Sequence, residues 1–487
     1  MRLSPIDLTI VVLYLIGITL FGVRFRRGQQ SLRDYFLGGR TAPWWALAFS
    51  IVATETSTLT VIGTPALAFA GNLGFLQLVI GYLVARVLIC VLFIPQYLRG
   101  EFYTAYQLIE KRFGERMRSI AASTFLLTRG LAEGVRVAAI ALVVRVAFGT
   151  GEVTSVILIT LLTLLYTFEG GMKAVIWTDV AQLAIYLSGA VAAFVLLLGK
   201  IPGGWAEVTQ VAAAGGKFRV FDFALSLTQT YTFWSGLLGG TFLTMASHGT
   251  DQLMVQRLLA ARSERDSKLA LLASGVLVFL QFALFLVLGV MFFVYHQHAP
   301  LVVPGQSTDR IFPEFVVREM PAGLKGLVIA AIFAAAMSTT SGTLNSLASS
   351  SIIDFYRLRG READQARFLR LSRRMTLAWG GVLLVLGTVQ WGPVLEAGLA
   401  IASITYGSLL GLFLLGILNR RATARGALVG MIAGLAMMLA VRFRTPLAWT
   451  WYVLVGTATT FAVGSVMSLF DPGARATGTE PPKAEAR

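Results

Sequence analysis

Long apolar stretches recur from one end of this chain to the other, separated by shorter polar segments. A hydrocarbon core about 30 Å thick is crossed by roughly twenty helical residues, and most of these stretches approach that length. The pattern therefore predicts an all-α polytopic membrane protein with about thirteen spans. The predicted spans are Ile6–Gly22, Trp44–Ala70, Phe75–Pro95, Ile120–Phe148, Val153–Phe168, Val175–Gly199, Trp234–Leu259, Leu269–Tyr295, Leu327–Phe355, Met375–Trp391, Val394–Leu418, Ala427–Val441 and Trp449–Phe470.

Span nine differs from the others because hydroxyl side chains crowd its second half, between Ser338 and Ser351. Lipid offers these groups no partner, so they must face protein, water or an ion. Two interpretations remain open from the spacing alone. The hydroxyls bond carbonyls of their own helix, or they supply hard oxygen ligands to a small dehydrated cation.

Spans two and seven are both interrupted by polar residues, at Thr54–Thr58 and at Ser247–Gln252. In transporters built from two inverted five-helix repeats, such a pair of broken spans marks the midplane binding site. The pattern predicts the following division of the chain: an extra helix and basic loop (1–42), a first repeat (43–200), an external loop (201–228), a second repeat (229–420), two C-terminal helices (421–470) and a disordered cytoplasmic tail (471–487).

Composition and charge refine this picture. The chain is 56% hydrophobic and 14% charged, whereas soluble domains carry about a quarter charged residues. The net charge of +16 collects in the loops after odd-numbered spans, which indicates membrane orientation and argues against a nucleic-acid partner. We expect a multi-pass protein of the inner cell membrane, with its N-terminus outside and its C-terminus cytoplasmic. Short interfacial helices are predicted in the external loops 203–225 and 299–325.

Four stretches resemble the sodium:solute symporter family: DYFLGGRTAPWWALAFS from Asp34, YTFEGGMKAVIWTDVAQ from Tyr166, GTDQLMVQRLLAAR from Gly249, and AAMSTTSGTLNSLASSSIIDFY ending at Tyr356. The resemblance implies a leucine-transporter-type fold with extra helices at both ends, and alternating access driven by a sodium gradient. It implies sodium as the coupling ion, with no organic cofactor. The expected partners are a small solute, sodium and the lipid bilayer, for a monomer or a weak homo-oligomer.

The resemblance also implies a sodium site. Its ligands would be the backbone carbonyls of Ala53 and Thr56 in span two, with the carbonyl of Ala335 and the hydroxyls of Ser338 and Thr339 in span nine. Carbonyl and hydroxyl oxygens are suitable ligands for such an ion.

Some family members resemble a sialic acid carrier that binds a second sodium. The matching residues here are Asp179, Ser338 and Ser341, but a fourth position that carries serine in that carrier is Gly342. Asp179 is therefore either a sodium ligand or an acid at a helix interface, paired with a nearby donor.

Neither the sugar pocket nor the proline pocket of the family is preserved, so the resemblance leaves the substrate unassigned. We expect the cavity between spans two, three, four, seven and eleven to take a small polar organic solute, with a carboxylate as the best candidate. The predicted substrate contacts are Glu55, Ser57, Thr60, Gln77, Arg136, Ser247 and His248.

Two of these predictions have open alternatives. Glu55 could assist the sodium site, accept a proton or bind a substrate ammonium, or it could accept hydrogen bonds from amides freed at the helix break. Arg129, Glu133 and Arg136 share one face of span four, and they form either a structural ion-pair stack or a clamp for a substrate carboxylate.

An enzyme, another type of solute carrier and a membrane sensor are the functions that compete with sodium-coupled symport. An intramembrane enzyme would need a motif such as HExxH, which the chain does not contain, so we expect no enzyme. A proton-coupled or uncoupled solute carrier, or a membrane sensor on a transporter-like fold, remains the alternative at this stage.

Overall fold

A computed structural model describes residues 3–25, 31–100, 102–149, 151–301, 307–355, 365–389, 391 and 394–471. Within these ranges the chain is helical, and its only β-type contact is a single bridge between Ala42 and Ala261. The helices are α1 Pro5–Val23, α2 Leu32–Leu37, α3 Trp44–Glu55, α4 Thr58–Ala70, α5 Leu76–Leu92, α6 Ile94–Leu98, α7 Tyr106–Phe113, α8 Glu115–Phe148, α9 Glu152–Lys200, α10 Gly204–Ala214, α11 Gly240–Gly249, α12 Gln252–Leu259, α13 Glu264–His298, α14 Ile311–Glu319, α15 Leu324–Ser350, α16 Gln365–Gly387, α17 Val394–Leu418, α18 Ala424–Arg444 and α19 Tyr452–Leu469.

Each predicted span coincides with a helix or a broken helix in the described part of the chain. Seven helices are long and apolar enough to cross a membrane, and the bent pair α3 and α4 makes an eighth. The remaining predicted spans are shorter or more polar. One of them, α8, carries Arg129, Glu133 and Arg136, which are tolerated because they face protein instead of lipid.

Spans five and six are joined more tightly than predicted. Helix α9 covers both of them and is interrupted by a kink at Gly171, which has a φ of 57°. This left-handed conformation is accessible to glycine without a side-chain clash. Each of the two loops predicted to hold a short helix contains one, α10 in the loop after α9 and α14 in the loop after α13. The predicted disordered tail, residues 472–487, lies outside the described residues.

Helix α15, which is the hydroxyl-rich span nine, lies at the centre of the bundle. Every residue from Val328 to Ser350 is buried, and α15 packs against α1, α3, α8, α9 and α16. By contrast, α1 faces outward along most of its length, as a lipid-facing helix would. The polar content of α15 is therefore enclosed by protein, as the cost of burying hydroxyls in lipid requires.

Both predicted helix breaks are present. The axis bends by 60° between α3 and α4, around Thr56 and Ser57. The second break separates α11 from α12, where the side chain of Asp251 caps α12 by accepting a hydrogen bond from the amide of Leu253. The two breaks are adjacent in space, since Nε2 of His248 lies 3.3 Å from a carboxylate oxygen of Glu55.

Candidate functional site

A central cavity of about 110 Å³ opens at the two helix breaks. A single water needs roughly 10–15 Å³ of such volume, so the cavity admits a small organic solute. Its walls come from the five predicted spans and additionally from α13, through Phe282. Its lining residues are Thr54, Glu55, Ser57, Leu59, Thr60, Phe75, Tyr82, Arg129, Arg136, Leu243, Thr244, Ser247, His248, Leu253, Met254, Phe282, Gly398, Leu399, Ala402 and Tyr406.

Six of the seven predicted substrate contacts line this cavity, and Gln77 is the exception. The amide nitrogen of Gln77 donates to the carbonyls of Gly74 and Tyr231, and its oxygen accepts from the amide of Asp222. Its side chain therefore ties the start of α5 to the loop before α11. A polar residue near the end of a span can serve a loop as readily as a cavity, and the sequence alone does not distinguish the two.

The carboxylate of Glu55 is already occupied by basic side chains. Arg86, which is fully buried on α5, forms an ion pair with Glu55 and also donates to the hydroxyl of Ser274 and the carbonyl of Tyr82. His248 approaches the same carboxylate from α11. Glu55 thus joins three helices through side-chain contacts, which differs from the predicted alternative of an acid bonded to freed amides.

Arg129 does not complete the Arg–Glu–Arg stack that its spacing suggested. Its guanidinium forms a buried ion pair with Asp251 and donates to the hydroxyl of Tyr406 at 2.7 Å. That hydroxyl in turn donates to Asp251 at 2.5 Å. This three-residue cluster joins α8, the α11–α12 break and α17 beneath the cavity. Gln252 ties this end of span seven to the loop before α7, since its side chain donates to the carbonyl of Tyr103 and accepts from the amide of Ala105.

Arg136 has a different environment. One of its nitrogens donates to Glu133 at 3.1 Å, and the Glu133 carboxylate also accepts hydrogen bonds from Thr340 and Thr343 of α15. The side chain of Arg136 is 21% exposed, against 4% for Arg129. Its Nε has no hydrogen-bond partner among the described residues. The Nε of Arg129 also lacks a hydrogen-bond partner among the described residues, so greater exposure is what distinguishes Arg136 as the basic group that a solute in this cavity can reach.

The residues predicted to bind sodium surround the break in span two. The hydroxyl of Thr339 lies 3.2 Å from the carbonyl of Ala335 and 3.4 Å from the carbonyl of Thr54. A cation of this size holds oxygens at roughly 2.3–2.6 Å, so ligands at right angles to each other are about 3.3–3.7 Å apart. The 3.4 Å separation from the carbonyl of Thr54 lies in this range, whereas the 3.2 Å contact with Ala335 is a hydrogen bond of the hydroxyl to its own helix. Thr54 was not predicted as a ligand.

The break itself supplies carbonyl oxygens. The amide of Ser57 bonds to the carbonyl of Glu55 instead of that of Ala53, the acceptor it would have in a continuous helix. The carbonyl of Ala53 is thereby released from the regular pattern. Thr56 has non-helical backbone angles, and its hydroxyl accepts a hydrogen bond from Gln281. The interruption therefore converts helix-bonded carbonyls into potential ligands.

Asp179 is the acceptor in a fully buried polar cluster. It accepts hydrogen bonds from the hydroxyls of Ser50 at 2.5 Å and Ser338 at 2.6 Å, and from the guanidinium of Arg257 at 2.9 Å. The hydroxyl of Ser341, by contrast, donates to the carbonyl of Ser338 in its own helix. The structure thus brings Ser338 to Asp179 but leaves Ser341 bonded elsewhere.

The described hydroxyls of α15 fall into two sets, and only the first set matches one of the interpretations offered above, the bonding of hydroxyls to carbonyls of their own helix. Those of Ser341, Ser346 and Ser349 bond carbonyls of their own helix. Those of Ser338, Thr340 and Thr343 instead reach carboxylates on other helices. Sequence spacing could not separate these sets, because the neighbouring helices decide which hydroxyls have acceptors within reach.

Arg86 was missed by the sequence analysis, although a signal was available. It is a lone charge in the apolar run of span three, and ionisable residues inside a span are functional or structural candidates by default. The aromatic walls Phe75, Tyr82 and Phe282 were also missed, since aromatic residues are common throughout an apolar sequence and carry no positional signal there.

Comparisons with known proteins agree with this geometry. The sodium/sialic acid symporter SiaT of Proteus mirabilis is 31% identical over 476 residues, which cover 94% of each chain. The sodium/sialic acid symporter NanT of Aliivibrio fischeri is 32% identical over 460 residues, covering 93% of this chain and 90% of the relative. A solved structure of a Na⁺-coupled sialic acid symporter superimposes with a TM-score of 0.90 at 31% identity, covering 96% of this chain and 98% of that one.

The model of the sodium:solute symporter family matches residues 35–434, which is most of the chain. The family and the similar proteins are transporters, so an intramembrane enzyme and a sensor no longer compete as functions. This chain belongs to the sodium:solute symporter family and is a multi-pass, sodium-coupled solute symporter.

Proposed function

We propose that this symporter carries a small organic anion whose carboxylate binds Arg136. The observation that carries the proposal is the partly exposed guanidinium of Arg136 in the central cavity, with its Nε unpartnered. A planar guanidinium matches a carboxylate with two parallel hydrogen bonds. The similar proteins named for sialic acid also act on a carboxylic acid.

The other charges of the cavity support an anion. Glu55 is neutralised by Arg86, and Arg129 is neutralised by Asp251. No acid of the described cavity wall is left to attract an ammonium group, whereas Arg136, although one of its nitrogens is paired with Glu133, is partly exposed and its Nε has no hydrogen-bond partner. Phe75, Tyr82 and Phe282 form an apolar wall, which suits a solute with a carbon skeleton beside its carboxylate.

Sodium is proposed to bind between α3 and α15, through the carbonyls of Ala53, Thr56 and Ala335 and the hydroxyls of Ser338 and Thr339. Thr54 is added as a candidate carbonyl ligand because it faces Thr339. A hydroxyl has one donor and two acceptor positions. Ser338 can therefore donate its proton to Asp179 and still present a lone pair to the ion.

We propose a single sodium per transport cycle. The position considered for a second sodium, at Asp179, Ser338 and Ser341, contains the guanidinium of Arg257. Asp179 already accepts three close donors, so a second cation would have to displace a fixed one. The inner-membrane location, the external N-terminus and a monomeric or weakly oligomeric state remain predictions, supported for orientation by the charge pattern.

The carboxylate proposal is tested with Arg136→Ala and Arg136→Lys in proteoliposomes under a sodium gradient. Labelled monocarboxylates are offered beside uncharged analogues of the same size. A hydrogen bond to a charged group contributes about 1.5–3 kcal/mol, so Arg136→Ala should lower uptake of the preferred acid more than tenfold. Arg136→Lys should recover part of it, since lysine keeps the charge but not the planar fork.

Arg116→Ala serves as the control, because it removes the same charge from an exposed position on α8 that does not line the cavity, and it should take up the acid like the wild type. Binding of ²²Na⁺ should persist in all three variants. Normal uptake by Arg136→Ala, or equal preference of the wild type for acids and uncharged analogues, would refute the proposal.

A further inference from the structure

A second cavity, of about 360 Å³, lies at the end of the bundle that the charge pattern places in the cytoplasm. It is bounded by the segment after α5, by the amphipathic helix α7 and by the last turns of α17. It shares no lining residue with the central cavity. Since 10–15 Å³ of such volume suffices for one water, this pocket is large enough for part of an amphiphile.

Its lining is divided into a basic part and an apolar part. Arg99, Lys111 and Arg112 supply the charge, while Leu108, Ile109 and Ile417 supply apolar surface. A pocket that only bound a soluble anion would gain nothing from the apolar part. The combination matches a molecule with a negatively charged head and a hydrocarbon chain.

Arg112 is held in place by the protein. One guanidinium nitrogen donates to the carbonyl of Asn419 at 3.0 Å and to that of Arg420 at 2.7 Å. The guanidinium also lies 5.2 Å from the ring centre of Phe113. Gly416 permits this approach, because a Cβ there would lie 3.1 Å from the Phe113 ring and 3.4 Å from Cγ of Arg112. The protein itself thus fixes the position of the Arg112 guanidinium in the wall of the pocket.

Arg99 and Lys111 are exposed, and neither forms an ion pair with an acid among the described residues. Glu110, the acidic neighbour of Lys111 on α7, is already paired with Arg118. The two free charges at the mouth of the pocket therefore favour an anionic ligand. Basic pockets between spans on the cytoplasmic side are suited to lipid headgroups.

We propose that this pocket binds an anionic phospholipid, with its phosphate at Arg99 and Lys111 and the start of an acyl chain against Leu108, Ile109 and Ile417. The bound lipid would bridge α7, the end of α17 and the short helix α6, which directly follows α5. Helices α5 and α17 are the ones that matter for transport. These two helices also line the substrate cavity, through Tyr82 and Tyr406 respectively. Lipid occupancy is therefore expected to stabilise the bundle and to change the rate of transport.

The test uses the full-length protein, purified in detergent and freed of native lipid. Its thermal midpoint is measured against increasing short-chain phosphatidylglycerol, phosphatidylcholine or inorganic phosphate, because a ligand of the folded state raises apparent stability. We expect a saturable rise with phosphatidylglycerol alone. The double variant Arg99→Gln/Lys111→Gln should need at least about tenfold more of it, as expected for a loss of 1.4 kcal/mol or more.

The matched control is Arg265→Gln/Arg374→Gln, which removes the same charge from exposed positions on other helices and should respond like the wild type. Ile417→Trp, which fills the apolar part while keeping all basic residues, should also weaken the effect. An equal response to phosphatidylcholine or to inorganic phosphate would overturn the proposal. So would an equal loss of response in both double variants.

Discussion

The guanidinium of Arg257 lies 2.9 Å from the carboxylate of Asp179, across a space that the missing side chain of Gly342 leaves open. A Cβ at Gly342 would lie only 2.7 Å from Nη2 of Arg257. Arg257 also donates to Ser50 and to the carbonyl of Leu253, so its position is fixed from three sides. A buried charge that is paired and hydrogen-bonded in this way is costly to displace.

This arrangement predicts one sodium per solute. The test uses proteoliposomes with imposed gradients of sodium and solute. At equilibrium, the solute concentration ratio should be proportional to the first power of the sodium concentration ratio, after correction for the solute's charge and the membrane potential. Initial uptake should rise hyperbolically with sodium concentration. A dependence on the square of the sodium gradient would mean that a second ion binds despite Arg257, and the single-site proposal would fail.

Thr339→Ala should raise the sodium concentration for half-maximal uptake roughly five- to a hundredfold, because removing one buried polar partner costs about 1–3 kcal/mol. Thr339→Ser keeps the oxygen and should have a small effect. Substrate affinity at saturating sodium should change less, since mass action can restore occupancy of the coupled site. Uptake is measured against sodium at fixed ionic strength.

The control for this substitution must come from a hydroxyl with no role between helices. Ser346 donates to the carbonyl of Thr343 in its own helix, so Ser346→Ala should keep the wild-type sodium dependence. Thr340, which lies next to the predicted ligands, is unsuitable because it donates to Glu133. An unchanged sodium dependence in Thr339→Ala would show that this hydroxyl serves packing only.

Gly289→Ala should destabilise the protein, since a Cβ there would collide with the carbonyl oxygen of Pro65 and lie 2.8 Å from Cβ of Ala68. Overpacking of this kind typically costs about 1–3 kcal/mol. Gly17→Ala is the control, because no atom lies within 4 Å of a Cβ at that position on α1. Thermal midpoints in detergent should fall for Gly289→Ala and stay level or rise for Gly17→Ala.

Orientation is tested by labelling single cysteines with an impermeant maleimide, after replacement of Cys90, the one natural cysteine. Gly151→Cys should be labelled from outside, and Arg265→Cys should not. Gly151 is preferable to Gly149 in the same loop, because Gly149 has a φ of 66° that disfavours any side chain. The reverse labelling pattern would contradict the charge-based orientation.

The sequence by itself determined the membrane class, the thirteen helical segments, the two breaks and the burial of span nine. The physical reason is that lipid solvates neither backbone nor hydroxyl groups. Each span must therefore carry enough consecutive apolar residues to cross the membrane, and a broken span must carry polar residues at its break. The sequence also named six residues that line the central cavity. Those residues lie at or beside the breaks, or on the charged face of span four. At these positions the sequence pattern itself marks where the cavity lies.

Only the tertiary structure decided which polar groups pair. Arg129 is four residues from Glu133, yet it pairs with Asp251, and Arg257 pairs with Asp179, a residue far away in the chain. Gln77, a predicted substrate contact, bonds a loop, and Thr340 donates to Glu133 on another helix. A buried charge must find a partner wherever packing brings one within hydrogen-bond distance. That distance depends on how separate helices cross, which no single segment encodes.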